Sequence, residues 1–78
     1  MLKKSDFAKK HGFEDFNDML SVSIIVFNNG ITRWIITPTE LGFLAWVDNH
    51  LDKPLGYFDT PELAKEEIID VRNLEVLL

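Results

Sequence analysis

Two β-rich runs separated by Asn28-Asn29-Gly30 constrain the fold more than any other feature. Residues 22–27 are Val-Ser-Ile-Ile-Val-Phe, and residues 31–37 are Ile-Thr-Arg-Trp-Ile-Ile-Thr. Asn-Gly between two such runs is a strong hairpin signal, because both residues tolerate the positive φ that tight hairpin turns need. After a turn-forming break at 38–42, residues 43–47 (Phe-Leu-Ala-Trp-Val) predict a third strand. We therefore expect a three-stranded antiparallel meander over about 22–27, 31–37 and 43–47.

A helix-start signal lies downstream of these strands. Thr60 can cap free backbone amides, Pro61 fits the first helical position, and Glu62 is favoured at the positive end of a helix. The pattern predicts a helix over about 61–72, packed on one face of the sheet. Its apolar stripe consists of Ala64, Ile68 and Val71.

Two further segments have less certain patterns. Residues 55–58 could form a short edge segment that leads into the helix. The apolar tail at 74–78 could add a short strand that pairs with the sheet or with a second copy of the protein. An apolar tail left exposed would be unusual.

The N-terminal residues 1–20 predict one or two short helices. Ser5 is placed to cap the first helix and Gly12 to end it. A second helix over about 14–20 would put three apolar side chains on one face. These are Phe13, Phe16 and Leu20.

Together these elements predict an α+β fold in a single domain spanning 1–78. Residues 1–20 form the helical segment, and residues 21–78 form the sheet with its helix. Both faces of the second strand are apolar, so both sheet faces need a cover. The C-terminal helix covers one face. The N-terminal helices, a partner or a second subunit would cover the other.

Length and composition exclude several classes of protein. A chain of 78 residues can hold one small core, and 46 % hydrophobic residues are enough to fold it. The absence of cysteine excludes disulfides and thiolate metal sites. Neither a signal peptide nor an apolar stretch of about 20 residues is visible. We therefore expect a cytoplasmic protein that has no membrane contact.

The net charge of −5 is distributed unevenly. Residues 1–10 carry +3, from four lysines against Asp6, so residues 11–78 carry −8. An acidic surface repels a phosphate backbone unless its few cations cluster. Nucleic-acid binding is therefore expected only from the N-terminal lysine cluster or from a basic sheet face. The lysines are Lys3, Lys4, Lys9 and Lys10.

No pattern indicates catalysis, a cofactor or a metal. His11 and His50 lack a partner at metal-ligand spacing, and the residues at 48–52 lack the glycine and terminal glutamate of an EF-hand loop. Glu66 and Asp70 lie one helical turn apart on a face that we expect to be solvated, whereas a catalytic carboxylate pair needs burial. We expect a protein that is not an enzyme and that holds no cofactor.

Trp34 and Trp46 fall on neighbouring predicted strands. As a cross-strand pair they could stand close together. Facing solvent they would form an aromatic platform for a partner, and facing a helix they would be core. The alternation along the second strand leaves both possibilities open.

The segment 55–64, Leu-Gly-Tyr-Phe-Asp-Thr-Pro-Glu-Leu-Ala, resembles the end of the Apetala and ethylene-response-factor type of DNA-binding domain. That family also includes phage integrase arm-binding and homing-endonuclease domains. The resemblance covers residues 31–71 and is specific at 55–64. It implies a three-stranded sheet packed on a helix, with arginines and a tryptophan of the sheet reading DNA. Arg33 is the arginine of the strands here, and Asp48 follows the third strand.

Two hypotheses follow for function. The first is a small non-catalytic accessory or interaction protein, of a kind common among phage and mobile-element products by size and charge, which docks on another protein or on a second copy of itself. The second is a nucleic-acid-binding module. The candidate partner-binding residues are Trp34, Trp46, Arg33, Glu66, Glu67 and Asp70. The candidate nucleic-acid-binding residues are Lys3, Lys4, Lys9, Lys10 and Arg33.

Overall fold

The protein is an α+β domain in which one antiparallel sheet lies between two layers of helix. The computed structural model describes the backbone of residues 3–77 and the side chains of residues 3–74. The four strands follow one another in the order β1-β2-β3-β4. The elements are α1 (Lys4–Lys10), α2 (Phe16–Ser21), β1 (Ile24–Asn28), β2 (Arg33–Thr39), β3 (Gly42–Val47), β4 (Gly56–Phe58) and α3 (Pro61–Leu77).

The predicted hairpin of β1 and β2 is confirmed, but its loop is wider than a two-residue turn. Asn29 Oδ1 accepts hydrogen bonds from the N–H groups of Ile31 and Thr32 at 3.0 and 2.7 Å. No non-glycine residue described here has a positive φ, so Asn29 does not adopt the conformation that a two-residue Asn-Gly turn requires. The side-chain bonds of Asn29 form a local turn instead. β2 consequently begins at Arg33 and not at residue 31.

The connection between β2 and β3 is shorter than the predicted break at 38–42. Only Glu40 and Leu41 lie between the two strands. Pro38 is part of β2 and pairs with β3, beyond the residues of β2 that pair with β1. Its missing N–H therefore costs no hydrogen bond to β1, which is how proline is tolerated in a sheet.

A fourth strand extends the sheet beyond the predicted meander. β4 pairs with β3 through three residue pairs, so the segment expected as a possible edge is part of the sheet. Gly42 lets the two strands meet, because a Cβ at this position would lie 2.8 Å from the carbonyl oxygen of Phe58. Its φ of +123° also lies in the region that favours glycine.

The C-terminal helix begins where the sequence predicts and ends later. The Leu63 N–H donates to Thr60 Oγ1 at 3.2 Å, and Pro61 is the first helical residue. Residues 72–77 contain neither glycine nor proline, so nothing stops the helix at 72. The predicted strand over 74–78 is wrong for residues 74–77, which are helical. Residue 78 lies outside the described residues.

The two N-terminal helices form with different caps from the expected ones. Ser5 lies inside α1, and no side chain caps that helix. α2 begins at Phe16 because the Asp15 carboxylate accepts the N–H of Asp18 at 2.7 Å. The three apolar side chains predicted to share a face do pack together on the sheet. They are Phe13, Phe16 and Leu20.

The sheet has a core on each face. On one face α1 and α2 cover Ile35 and Trp46, and on the other α3 covers Trp34 and Ile36. The N-terminal helices thus cover the face for which the sequence also allowed a partner or a second subunit. The first core contains Phe7, Ala8, Met19, Ile35, Leu44, Trp46 and Leu51. The second contains Trp34, Ile36, Ala45, Val47, Ala64 and Ile68.

A buried chain of hydrogen bonds ties α2 to the sheet. Trp46 Nε1 donates to Thr37 Oγ1 at 2.8 Å, and Thr37 Oγ1 lies 2.6 Å from Ser23 Oγ. Ser23 Oγ donates its single hydrogen to the carbonyl oxygen of Met19 at 2.7 Å. The hydroxyl of Thr37 must therefore donate to Ser23. The hydroxyl of Thr37 thus accepts the buried Trp46 N–H and links it to Ser23.

Candidate functional site

The two tryptophans are core residues on opposite faces of the sheet. Trp34 is 5 % exposed and Trp46 is fully buried. Opposite residues in the β2–β3 ladder share a face, and Trp46 lies opposite Ile35 whereas Trp34 lies opposite Val47. A register offset of one residue therefore places the two rings on different sides. Of the two possibilities that the sequence left open, both tryptophans are core residues, so Trp34 and Trp46 do not form an exposed platform.

Arg33 is held by an ion pair. Its Nε lies 2.8 Å from Asp48 Oδ2, and its backbone N–H donates to Asp48 Oδ1 at 3.0 Å. Asp48 follows β3 directly, so its carboxylate connects the end of β3 to the start of β2. Asp48 thus balances the charge of the partly exposed Arg33 side chain, and this weakens Arg33 as a contact for phosphate.

The acidic residues of α3 remain available to solvent. Glu66 and Asp70 are exposed, and Glu67 is half-buried. Arg72 points the other way, toward β1, because its guanidinium lies 3.3 Å from the centre of the Phe27 ring. Arg72 therefore does not share the exposed face of Glu66 and Asp70.

The four lysines of the N-terminal segment are all exposed, but they divide into two pairs. Lys9 and Lys10 border a groove beside His11 and Tyr57. The other pair borders a second groove, which residues 48–53 also line. α1 therefore presents positive charge at both ends and not as one patch. The second pair is Lys3 and Lys4.

His11 has one polar contact in the described structure. Its Nδ1 lies 3.0 Å from the Tyr57 hydroxyl, and its ring meets Phe7 edge-on at 4.7 Å. Nε2 is buried and has no hydrogen-bond partner among the described atoms. Burial and then the positive charge of Lys10 lower the pKa of His11 below its ordinary value of 6.5. The imidazole is therefore neutral near pH 7.

The polar loop at 48–52 shows no metal site within the described part of the chain. His50 is exposed, and Asp48 is engaged by Arg33. Among the described residues, no three histidine, aspartate or glutamate side chains gather where they could hold a metal ion.

The open edge of β1 is the surface feature that the sequence reasoning missed. Among the strands of the described residues β1 has one neighbour, β2, so its other side presents unpaired backbone groups. Ile24 and Ile25 are 54 % and 49 % exposed, and Val22, just before the strand, is 48 % exposed. Residues 21–32 contain no charged residue and no proline. The predicted meander makes its first strand an edge, but the exposure of Ile24 and Ile25 at that edge depends on the position of α3 and is seen only in the structure.

A shallow groove runs along this edge on the α3 side. Its floor is formed by β1 and by Ile36 of β2, and its rim by Pro61, Glu62 and Lys65 of α3. The residue-by-residue pairing of β1 with β2 shifts between Ile25 and Phe27, so Val26 is a bulge. The regular part of the strand is therefore its first half.

No helix in the described part of the chain has the length and apolar character needed to cross a membrane. No protein-family model, curated protein or solved structure matches the chain. The resemblance of residues 55–64 to the Apetala type of domain therefore stays a prediction.

Proposed function

We propose that this is a non-catalytic interaction protein of the cytoplasm that binds another polypeptide along the open edge of β1. The observation that carries the proposal is the combination of unpaired backbone and half-exposed Ile24 and Ile25 on an uncharged strand. An added strand would satisfy the edge amides and carbonyls and place alternate side chains on the two faces.

Edge strands of proteins that do not use them are usually protected. The common devices are lysine, proline, short length and a covering helix or loop. β4, the other edge, is three residues long, and Lys53-Pro54 lies just before it. β1 is five residues long and carries only the bulge at Val26. The contrast between the two edges supports a binding role for β1.

α3 covers only part of β1. The helix makes most of its sheet contacts with β2, β3 and β4, and it reaches β1 through side chains at the groove rim and through Arg72, which stacks on Phe27. The apolar faces of the sheet are filled by the protein's own helices. Docking through a sheet face, which the sequence analysis considered, is therefore replaced by docking through a sheet edge.

Affinity capture from cells that express the tagged protein tests this proposal. Ile24→Lys adds a charge to the edge, where lysine is well tolerated in natural sheets. The matched control is Leu41→Lys, which places the same charge on a residue 75 % exposed in the β2–β3 turn. We expect Ile24→Lys to lose the bound polypeptide and Leu41→Lys to retain it. Equal recovery with both variants would contradict the proposal.

A second candidate function is nucleic-acid binding by α1. The observation that favours it is the exposure of three lysines on this helix and of Lys3 just before it. It predicts binding of duplex DNA that weakens with salt, and Lys9→Ala with Lys10→Ala should lower the salt slope by about one unit per lost contact. A titration that shows no binding at low salt would remove this candidate.

A further inference from the structure

We propose that the polypeptide bound by β1 is a second copy of this chain. Two β1 strands pair antiparallel about a two-fold axis, and the two four-stranded sheets become one eight-stranded sheet. This inference rests on the proposed function and names its partner. A symmetric pair uses the same patch on both copies, so each open edge satisfies the other.

The chemistry of β1 suits pairing with itself. The bulge at Val26 confines regular pairing to the first half of the strand, so the axis lies at Ile24 or Ile25. With either centre, the two half-exposed isoleucines meet apolar residues or serine of the other copy, and no charged side chain enters the strand pair. Apolar cross-strand pairs of this kind stabilise a sheet.

The charges beside the edge are complementary under the same symmetry. α3 runs alongside β1, with Glu62 and Lys65 at the groove and Arg72 stacked on Phe27 near the far end of the strand. Antiparallel pairing brings the Arg72 end of one copy beside the Glu62 end of the other. The opposite charges of Arg72 and Glu62 favour this orientation, although both copies carry a net charge of −5. Glu66 is exposed and does not line the groove.

The assembly closes at two copies. After β1 has paired, the remaining edges are the two β4 strands, which are three residues long. Short edges resist further addition, so a filament is not expected. The contact is a strand edge with a few half-exposed side chains, which falls at the small end of specific interfaces. We therefore expect a dimer in reversible equilibrium with the monomer.

Sedimentation equilibrium of the purified chain over a wide concentration range tests the dimer. The wild type is expected to rise from 9.0 kDa toward twice that mass. Ile24→Lys should weaken self-association by about tenfold or more, and Leu41→Lys should not. Circular dichroism and thermal melting must show that both variants are folded. A wild-type chain that stays monomeric throughout, or an Ile24→Lys variant that dimerises like the wild type, would overturn the inference.

Charge reversal gives a second, independent readout. Glu62→Lys is expected to weaken the dimer several-fold, and the effect should shrink at high salt. Glu66→Lys makes the same change one helical turn along and should leave self-association unchanged. Equal effects of the two variants would contradict the antiparallel arrangement.

Failure of this inference can be distinguished from failure of the proposed function. If the chain is monomeric but still captures another protein in an Ile24-dependent manner, the partner is not a second copy and the proposed function stands. A monomeric chain that captures nothing through β1 would overturn both.

Discussion

Replacement of Thr37 by valine removes the hydroxyl at the centre of the buried hydrogen-bond chain and keeps the shape of the side chain. Trp46 Nε1 then loses its only described partner inside a fully buried site. An unsatisfied buried donor costs about 1–3 kcal/mol. Ser23 still donates to the carbonyl of Met19, so the loss falls mainly on the tryptophan. For a domain of 60–100 residues, each kcal/mol lowers the melting temperature by about 4–8 °C.

A double-mutant cycle isolates the contribution of the Trp46–Thr37 hydrogen bond to the free energy of unfolding. Chemical denaturation is measured for Thr37→Val, for Trp46→Phe and for both together. Phenylalanine has no N–H, so Thr37→Val should cost less in the Trp46→Phe background than in the wild type. The difference is expected at about 1–2 kcal/mol, within the range for an unpaired donor. Equal costs in both backgrounds would refute the argument that the Trp46–Thr37 bond matters to stability.

Two other predictions concern local geometry and pH. Gly42→Ala should destabilise the protein much more than Gly30→Ala in urea denaturation. Both glycines have a positive φ, but only at Gly42 would a Cβ meet a backbone oxygen. Equal losses in the free energy of unfolding would contradict this. The pKa of His11 is lower in the folded chain than in the unfolded chain, so below pH 6.5 the unfolded chain binds a proton more readily than the folded chain does. Stability should therefore fall as the pH drops from 6.5 through the folded-state value, and His11→Gln should flatten this slope. An unchanged slope would show that His11 is not responsible.

Local signals in the sequence predicted the elements whose ends are marked by specific residues. Asn-Asn-Gly marked the hairpin, and Thr60 with Pro61 marked the start of α3, since caps and turns act over a few residues. The end of α3 had no such mark, and an apolar tail suits a strand as well as a helix. The possible strand at 74–78 was wrong for residues 74–77 for this reason.

The positions of the tryptophans and of β4 depend on register, which a local pattern does not determine. Both faces of β2 are apolar, so alternation alone could not place Trp34, and Trp46 belongs to another strand with its own offset. Arg33 was predicted as a contact for a partner, yet Asp48, fifteen residues away, holds it. Contacts between residues this far apart in the sequence can be identified only once the pairing of the strands is known.

The edge of β1 follows from topology and not from composition. An uncharged run such as 21–32 predicts a buried strand as readily as an exposed one. Only the order of the strands and the position of α3 show that Ile24 and Ile25 remain open. The candidate site therefore lay within a segment that the sequence analysis had assigned to structure alone.

Site-specific photo-crosslinking from position 24 tests binding by the β1 edge most directly. A photoreactive amino acid replaces Ile24 in one variant and Leu41 in a control, and the cross-linked peptides are mapped by mass spectrometry. We expect adducts from position 24 that join β1 to another polypeptide, with residues 22–27 of a second copy as the expected partner. Position 41 should give none of these adducts. If position 24 yields no adduct with any polypeptide, in cells or in the concentrated purified protein, then β1 is not a binding edge.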